Sequence, residues 1–194
     1  GFSNFIEDVA LLTTECAIIT NPGAPSRRGE TAGIRKVLMD YYSNIEEVVD
    51  PGTVEAGDIM MVGDRYYIGI SARTNHDGAD KMIKILESYG YKGIKVPLKN
   101  LLHLKTGLSY LEDNNLLISG EFLEEPLFDD FNKIPITRPE LYAANSLWIN
   151  GTVIIPDGFP ETKRKIRNAG YEVIAVDVSE FQKLDGGLSC LSLR

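Results

Sequence analysis

Apolar residues recur along this chain in short alternating runs, paired across brief polar turns, and each pair reads as a β-hairpin. The pairs are "DVALLTTECAIIT" from Asp8, "DIMMVGDRYYIGI" from Asp58, "HLKTGLSYLEDNNLLIS" from His103 and "NSLWINGTVIIP" from Asn145, starting about 45 residues apart. Behind each hairpin follows a polar stretch with apolar residues at helical spacing: "RRGETAGIRKVLMDYY", "NHDGADKMIKILESYGY", the weaker "GEFLEEPLFDDF" and "FPETKRKIRNAGY". Each is followed by a short strand: "IEEVVD", "GIKVP", "KIPIT" and "YEVIAVD". The module is strand, turn, strand, helix, strand, and it occurs four times. A period of this length marks a repeat architecture, either a solenoid or a closed ring.

Both ends of the chain fit a ring. The closing "LSCLSLR" reads as the first strand of a fifth module, and the opening "GFSNFIED" begins inside a module. The expectation is one α/β domain over residues 1–194, N-terminally incomplete by about one module. If equivalent strand starts converge on a pseudo-symmetry axis, the residues at those starts meet in one pocket. They are Glu7 and Asp8, then Glu55 and Asp58, then His103, Asn145 and Cys190.

Composition narrows what such a pocket does. The chain has 194 residues, 43% hydrophobic and 25% charged, as in an ordinary globular protein with a full core. A net charge of -8 disfavours nucleic acid and anionic membranes, which require clustered Lys and Arg, and mildly favours cationic ligands. No apolar run approaches the roughly 20 residues of a membrane span and no secretory signal pattern opens the chain, so it is read as cytoplasmic. Two cysteines make no disulfide framework, and no CxxC pair or His cluster suggests structural zinc. No GxGxxG or P-loop pattern calls for a nucleotide. Strand edges left open by an unclosed ring invite a homo-oligomer.

The chemistry at the strand starts is that of a nucleophile with its acid and base. Cys190 needs a cationic neighbour to become a thiolate, and His103 supplies one, with Glu55 holding the ring. Glu7 and Asp8 together match a guanidinium, which donates bidentate hydrogen bonds to carboxylates and exposes an electrophilic carbon. Cys16, inside "TECAIIT", reads as a small buried hydrophobe, and His76 as a solvated helix start.

These residues also resemble a known family. "FIEDVAL", "ITNPGAPSRRGE", "SARTN", "LHLKTGLSYL" and "DGGLSCLSLR" together are similar to the dimethylarginine dimethylaminohydrolases, members of the guanidine-modifying pentein superfamily with a five-bladed α/β propeller. The resemblance implies hydrolysis of the guanidino C–N bond of dimethylarginine to citrulline and an amine, with no cofactor. It implies Cys190 as nucleophile, His103 as general acid and base, and Glu55 as its orienting carboxylate. Glu7 and Asp8 would grip the guanidinium, Arg27 and Arg73 the α-carboxylate, and the Leu184 carbonyl the α-amino group. Zinc that captures the Cys190 thiolate would inhibit. Phe2 stands where the family usually carries an Asp that reads the substituted end of the guanidine. Arginine deiminase, citrulline or ureido hydrolysis, amidine transfer and a non-catalytic binder of cationic amino acids are the competing functions.

Overall fold

The computed structural model describes residues 5–193, which form two compact units. The first comprises the chain through Leu104 together with the segment from Cys190, and the second runs from Lys105 to Ser189.

In the first unit, β1 (Ala10–Leu12) pairs antiparallel with β2 (Ala17–Ile19), α1 (Glu30–Leu38) follows, and β3 (Ile45–Glu47) lies parallel to β2. The second module repeats this with β4 (Ile59–Val62), β5 (Arg65–Ile70), α2 (His76–Ser88) and β6 (Lys92–Pro97), and β6 runs parallel to β5. α2 shows why the pattern dictates the element. Ala79, Met82 and Leu86 stand at helical spacing and are fully buried, while the Asn75 side chain caps the first turn by accepting the Gly78 N–H at 2.8 Å. Burying Met82 and Leu86 contributes roughly 1.5–3 kcal/mol each. They pack with Cys16, Ile18, Ile59, Tyr66 and Ile68, a core shared by the first two modules.

The second unit holds α3, the single turn Leu104–Gly107 shared at its first residue with the unit before, then β7 (Leu108–Tyr110), β8 (Asn115–Ser119) and β9 (Asn132–Ile136). A further module comprises β10 (Leu147–Ile149), β11 (Thr152–Pro156), α4 (Pro160–Asn168) and β12 (Glu172–Val176), followed by the turn α5 (Ser179–Gln182). In both sheets the hairpin is antiparallel and the third strand parallel to the second. The turn Asn150–Gly151 between β10 and β11 has both residues at positive φ, 50° and 83°, the two-residue hairpin turn that Asn-Gly favours. The α4 N-terminus is capped from outside: the Glu140 carboxylate accepts the N–H groups of Glu161 at 3.0 Å and Thr162 at 2.6 Å.

The strands of all four hairpins and all four third strands fall within the segments the alternation marks, although the third hairpin, read from His103, opens with the helical turn α3 and its first strand starts only at Leu108. Two segments differ. "GEFLEEPLFDDF" forms two 3₁₀ turns, Gly120–Phe122 and Pro126–Phe128, instead of a helix. Gly120 begins it at a φ of 57° and Pro126 interrupts it with a residue that donates no backbone hydrogen bond. "LSCLSLR" is no strand among the described residues; Ser189–Leu191 is a 3₁₀ turn. No helix of the described residues is long and apolar enough to cross a membrane.

Candidate active site

Each of the first two modules enters its first strand through a 3₁₀ turn that carries acids. Glu7–Val9 precedes β1 and Ala56–Asp58 precedes β4, with Glu55 as the residue before the second turn. The tight turn points consecutive side chains inward where a strand would alternate them, so Glu7, Asp8, Glu55 and Asp58 are all buried, none more than 4% exposed. Charges this deep persist only with partners.

Glu55 divides its carboxylate between two neighbours. One oxygen, Oε2, lies 2.8 Å from Nε2 of His103; the other accepts the Ala24 N–H at 3.2 Å and faces the Arg73 guanidinium at 3.6 Å. Asp8 stands near the same imidazole nitrogen, with Oδ1 4.0 Å from Nε2. Oδ1 also accepts the Gly57 N–H at 2.9 Å, and Oδ2 takes the Arg27 guanidinium at 2.5 Å. Gly57 is required here: a Cβ at that position would lie 2.7 Å from Asp8 Oδ1 and 3.1 Å from the His103 ring. The backbone of Asp8 is fixed in turn by the Thr20 hydroxyl, which donates to its carbonyl at 2.6 Å.

The sequence-predicted residues therefore gather in part. Asp8, Glu55, His103, Arg27 and Arg73 form one connected set of ion pairs, and Glu7 is buried on the turn beside Asp8. Cys190 belongs to the same compact unit, partly exposed and not in a disulfide, on its own 3₁₀ turn. Arg27 also donates to Glu30 and to the Phe5 carbonyl, so its guanidinium is tied to Asp8 as well as lying near the chain end. Leu184 lies in the second unit, 57% exposed just beyond α5. There too Asn145, the fourth strand start, holds Ser189 by two 2.9 Å hydrogen bonds through its side-chain amide and reaches the Lys105 carbonyl at 2.9 Å. Phe2 lies outside the described residues. Asp58 is among the strand-start acids that the repeat places at the pocket, and it is buried there; Ser71 and Thr74, two hydroxyls in a loop, carry no signal in the sequence until their hydrogen bonds to it are seen.

The electrostatics favour an imidazolium. Burial alone would lower the His103 pKa, but the hydrogen bond the ring donates to Glu55 and the charges of Asp8, Asp58 and Glu55 outweigh it and hold the group above its ordinary 6.5. For Asp8 burial pushes up, and His103, Arg27 and the Gly57 N–H prevail, holding its carboxyl below the ordinary 3.8. The two shifts act on stability in opposite directions of pH. The raised His103 contributes fully below 6.5 and loses its contribution as pH rises through the folded-state value. The lowered Asp8 contributes fully above 3.8 and loses its contribution as pH falls through its folded-state value. The difference in Tm between wild type and a His103→Gln variant is therefore expected to be largest below pH 6.5 and to shrink above it, which thermal melts followed by circular dichroism across that range will show. A difference that grows with pH would contradict the assignment.

Modules of a hairpin with a parallel third strand, and an imidazole paired to acids at a strand entrance, are the parts of a pentein, the α/β-propeller class that modifies guanidines. A family model described as arginine deiminase matches residues 33–140. The N(G),N(G)-dimethylarginine dimethylaminohydrolase of Pseudomonas aeruginosa is 58% identical over 193 residues, covering 99% of this chain and 76% of that protein. That of Streptomyces coelicolor is 34% identical over 194 residues, covering 99% of this chain and 74% of that protein. The solved structure of a mutant of the Pseudomonas enzyme complexed with citrulline superposes with a TM-score of 0.97 at 57% identity, covering 98% of this chain and 75% of that one. This chain belongs to the dimethylarginine dimethylaminohydrolase family.

Proposed function

We propose that the protein hydrolyses the guanidino C–N bond of Nω-methylated arginine, yielding citrulline and an amine through a covalent adduct on Cys190. The observation that carries this reading is the imidazole of His103 set 2.8 Å from one buried carboxylate and 4.0 Å from another. Two anions beside one ring keep it protonated, and a protonated imidazole is the acid that an amine leaving group requires.

The steps follow from the groups. The thiolate of Cys190 adds to the guanidinium carbon and a C–S bond forms. His103 gives its proton to the substituted nitrogen as the C–N bond breaks, and the amine departs, leaving a thiouronium on sulfur. Water adds to the same carbon while His103 takes one of its protons; the C–S bond then breaks, the thiolate is restored, and citrulline leaves. Glu55 keeps the imidazole oriented and stabilises its charged form throughout. Asp8 and Glu7 match the positive charge of the substrate, and Arg73 its carboxylate. The reading needs no cofactor. It expects inhibition by zinc at Cys190, since thiolate, imidazole and carboxylate are the donors that ion prefers, and Asp8, Glu55 and His103 already offer ligand atoms within 4.8 Å of one another.

The arginine deiminase description over residues 33–140 favours one second reading, hydrolysis of unsubstituted arginine with release of ammonia. Product analysis separates the two. Dimethylamine and citrulline from dimethylarginine, with arginine left intact, is the expected outcome; ammonia from arginine with dimethylarginine untouched would replace the first reading with the second.

A further inference from the structure

Asp58 is wholly buried, yet nothing in the mechanism above uses it. Its carboxylate accepts three hydrogen bonds from three separate pieces of chain. Oδ1 takes the N–H of Leu104, the residue after His103, at 2.9 Å. Oδ2 takes the hydroxyls of Ser71 at 2.6 Å and Thr74 at 2.7 Å. Each hydroxyl passes the constraint onward. Ser71 Oγ accepts the N–H groups of Arg73 at 3.0 Å and Thr74 at 3.1 Å, and Thr74 Oγ1 accepts the N–H of Glu55 at 3.2 Å.

We propose that Asp58 is a positioning residue for the reaction, one carboxylate that sets the backbone of Glu55, the loop carrying Arg73 and the chain leaving His103 relative to one another. The inference rests on the roles given above to His103, Glu55 and Arg73. It explains why an acid stands there and not an amide of the same shape. Both acceptor positions of the Ser71 hydroxyl are taken by backbone N–H groups, so its proton must be donated, and Asp58 Oδ2 is where it goes. The Thr74 hydroxyl, which accepts the Glu55 N–H, donates to the same Asp58 oxygen. An asparagine would turn an NH2 group either toward both hydroxyl protons or toward the Leu104 N–H, leaving a buried donor facing a donor in each case. Gly69 packs closely against the same carboxylate, where a Cβ would lie 2.9 Å from Asp58 Oδ1. Asp58 also adds negative charge near His103, alongside Asp8 and Glu55, with Arg27 and Arg73 as the cations paired to those two acids.

The test is Asp58→Asn, read by steady-state kinetics and by NMR titration of labelled histidine. The chain has two histidines, and exposed His76 serves as the internal reference. Three results are expected together. The His103 titration moves down relative to wild type, because one of the charges that raises it is gone. KM rises as the Arg73 loop loosens, and kcat falls as Glu55 and His103 lose their register, for a combined loss in kcat/KM of roughly 10- to 100-fold. Single-arm variants separate the effects: Ser71→Ala is expected to raise KM with kcat and the His103 titration retained, and Thr74→Val to lower kcat. If Asp58→Asn does not fold, these two decide, and wild-type kinetics in both overturn the proposal. A folded Asp58→Asn protein with unchanged KM, kcat and His103 titration also overturns it. If the wild type turns over neither dimethylarginine nor arginine, the functional reading fails instead, and an unmoved His103 titration in Asp58→Asn still refutes the positioning role.

Discussion

Replacing Cys190 with serine is expected to reduce turnover by at least about 10³-fold while leaving folding intact. A hydroxyl is a far weaker nucleophile than a thiolate and has no comparable ionised form at neutral pH, so the first covalent step loses its driving group, and removal of a nucleophile costs orders of magnitude even when the rest of a site persists. The substitution changes one atom on a turn whose preceding residue is firmly held. Ser189 exchanges two 2.9 Å hydrogen bonds with the Asn145 amide, and Gly187 approaches that amide so closely that a Cβ there would lie 2.6 Å from its carbon. Serine at 190 should therefore keep the backbone in place. Cys16 provides the control. It is fully buried, its pKa is raised chiefly by that burial, and the Thr13 hydroxyl donates to its sulfur at 3.5 Å. Activity assays of Cys190→Ser and Cys16→Ala should give a dead enzyme and a working one; comparable activities in the two would remove Cys190 from the mechanism.

The second large effect is expected of Glu55→Gln, a fall in kcat of about 10²- to 10⁴-fold, the range general acid–base catalysis supplies. An amide keeps the shape of Glu55 but not its charge. The imidazolium of His103 would lose its 2.8 Å anionic partner, and the Arg73 guanidinium its 3.6 Å one. Asp8 alone, at 4.0 Å and already engaged by Arg27, does not replace it. The loss should be deepest on the alkaline side of the rate profile, because removing the carboxylate that raises the His103 pKa empties the acid form at lower pH. Measured rates from pH 5 to 9 that decline in parallel at every pH would deny Glu55 this role.

The repeat was legible because hairpin alternation and helical spacing are local properties, and the strands and helices of α1, α2 and α4 lie where those periods place them. What the pattern did not contain was the form of the strand entrances. An acid doublet before an apolar run reads equally well as a solvated strand end, and only the 3₁₀ turns at Glu7–Val9 and Ala56–Asp58 bury those side chains. "LSCLSLR" alternates like a strand, yet it is a turn, since a strand needs a partner and the alternation of one segment does not name one. The pairing of Glu55 with His103 was legible from their matching positions in the repeat. The tie between Arg27 and Asp8 was not, because sequence carries residue types but not which acceptor a long guanidinium reaches. Asp58 was visible as a strand-start acid, while its work depends on two hydroxyls more than ten residues away, a distance at which spacing says nothing.

The central claim is that carbon is transferred to sulfur before water attacks it. Mass spectrometry of the intact protein, quenched in acid within the first turnovers on dimethylarginine and mapped by proteolysis, tests that directly. A mass increment corresponding to a thiouronium, confined to the peptide containing Cys190, is predicted; an unmodified Cys190 throughout steady citrulline release would contradict it.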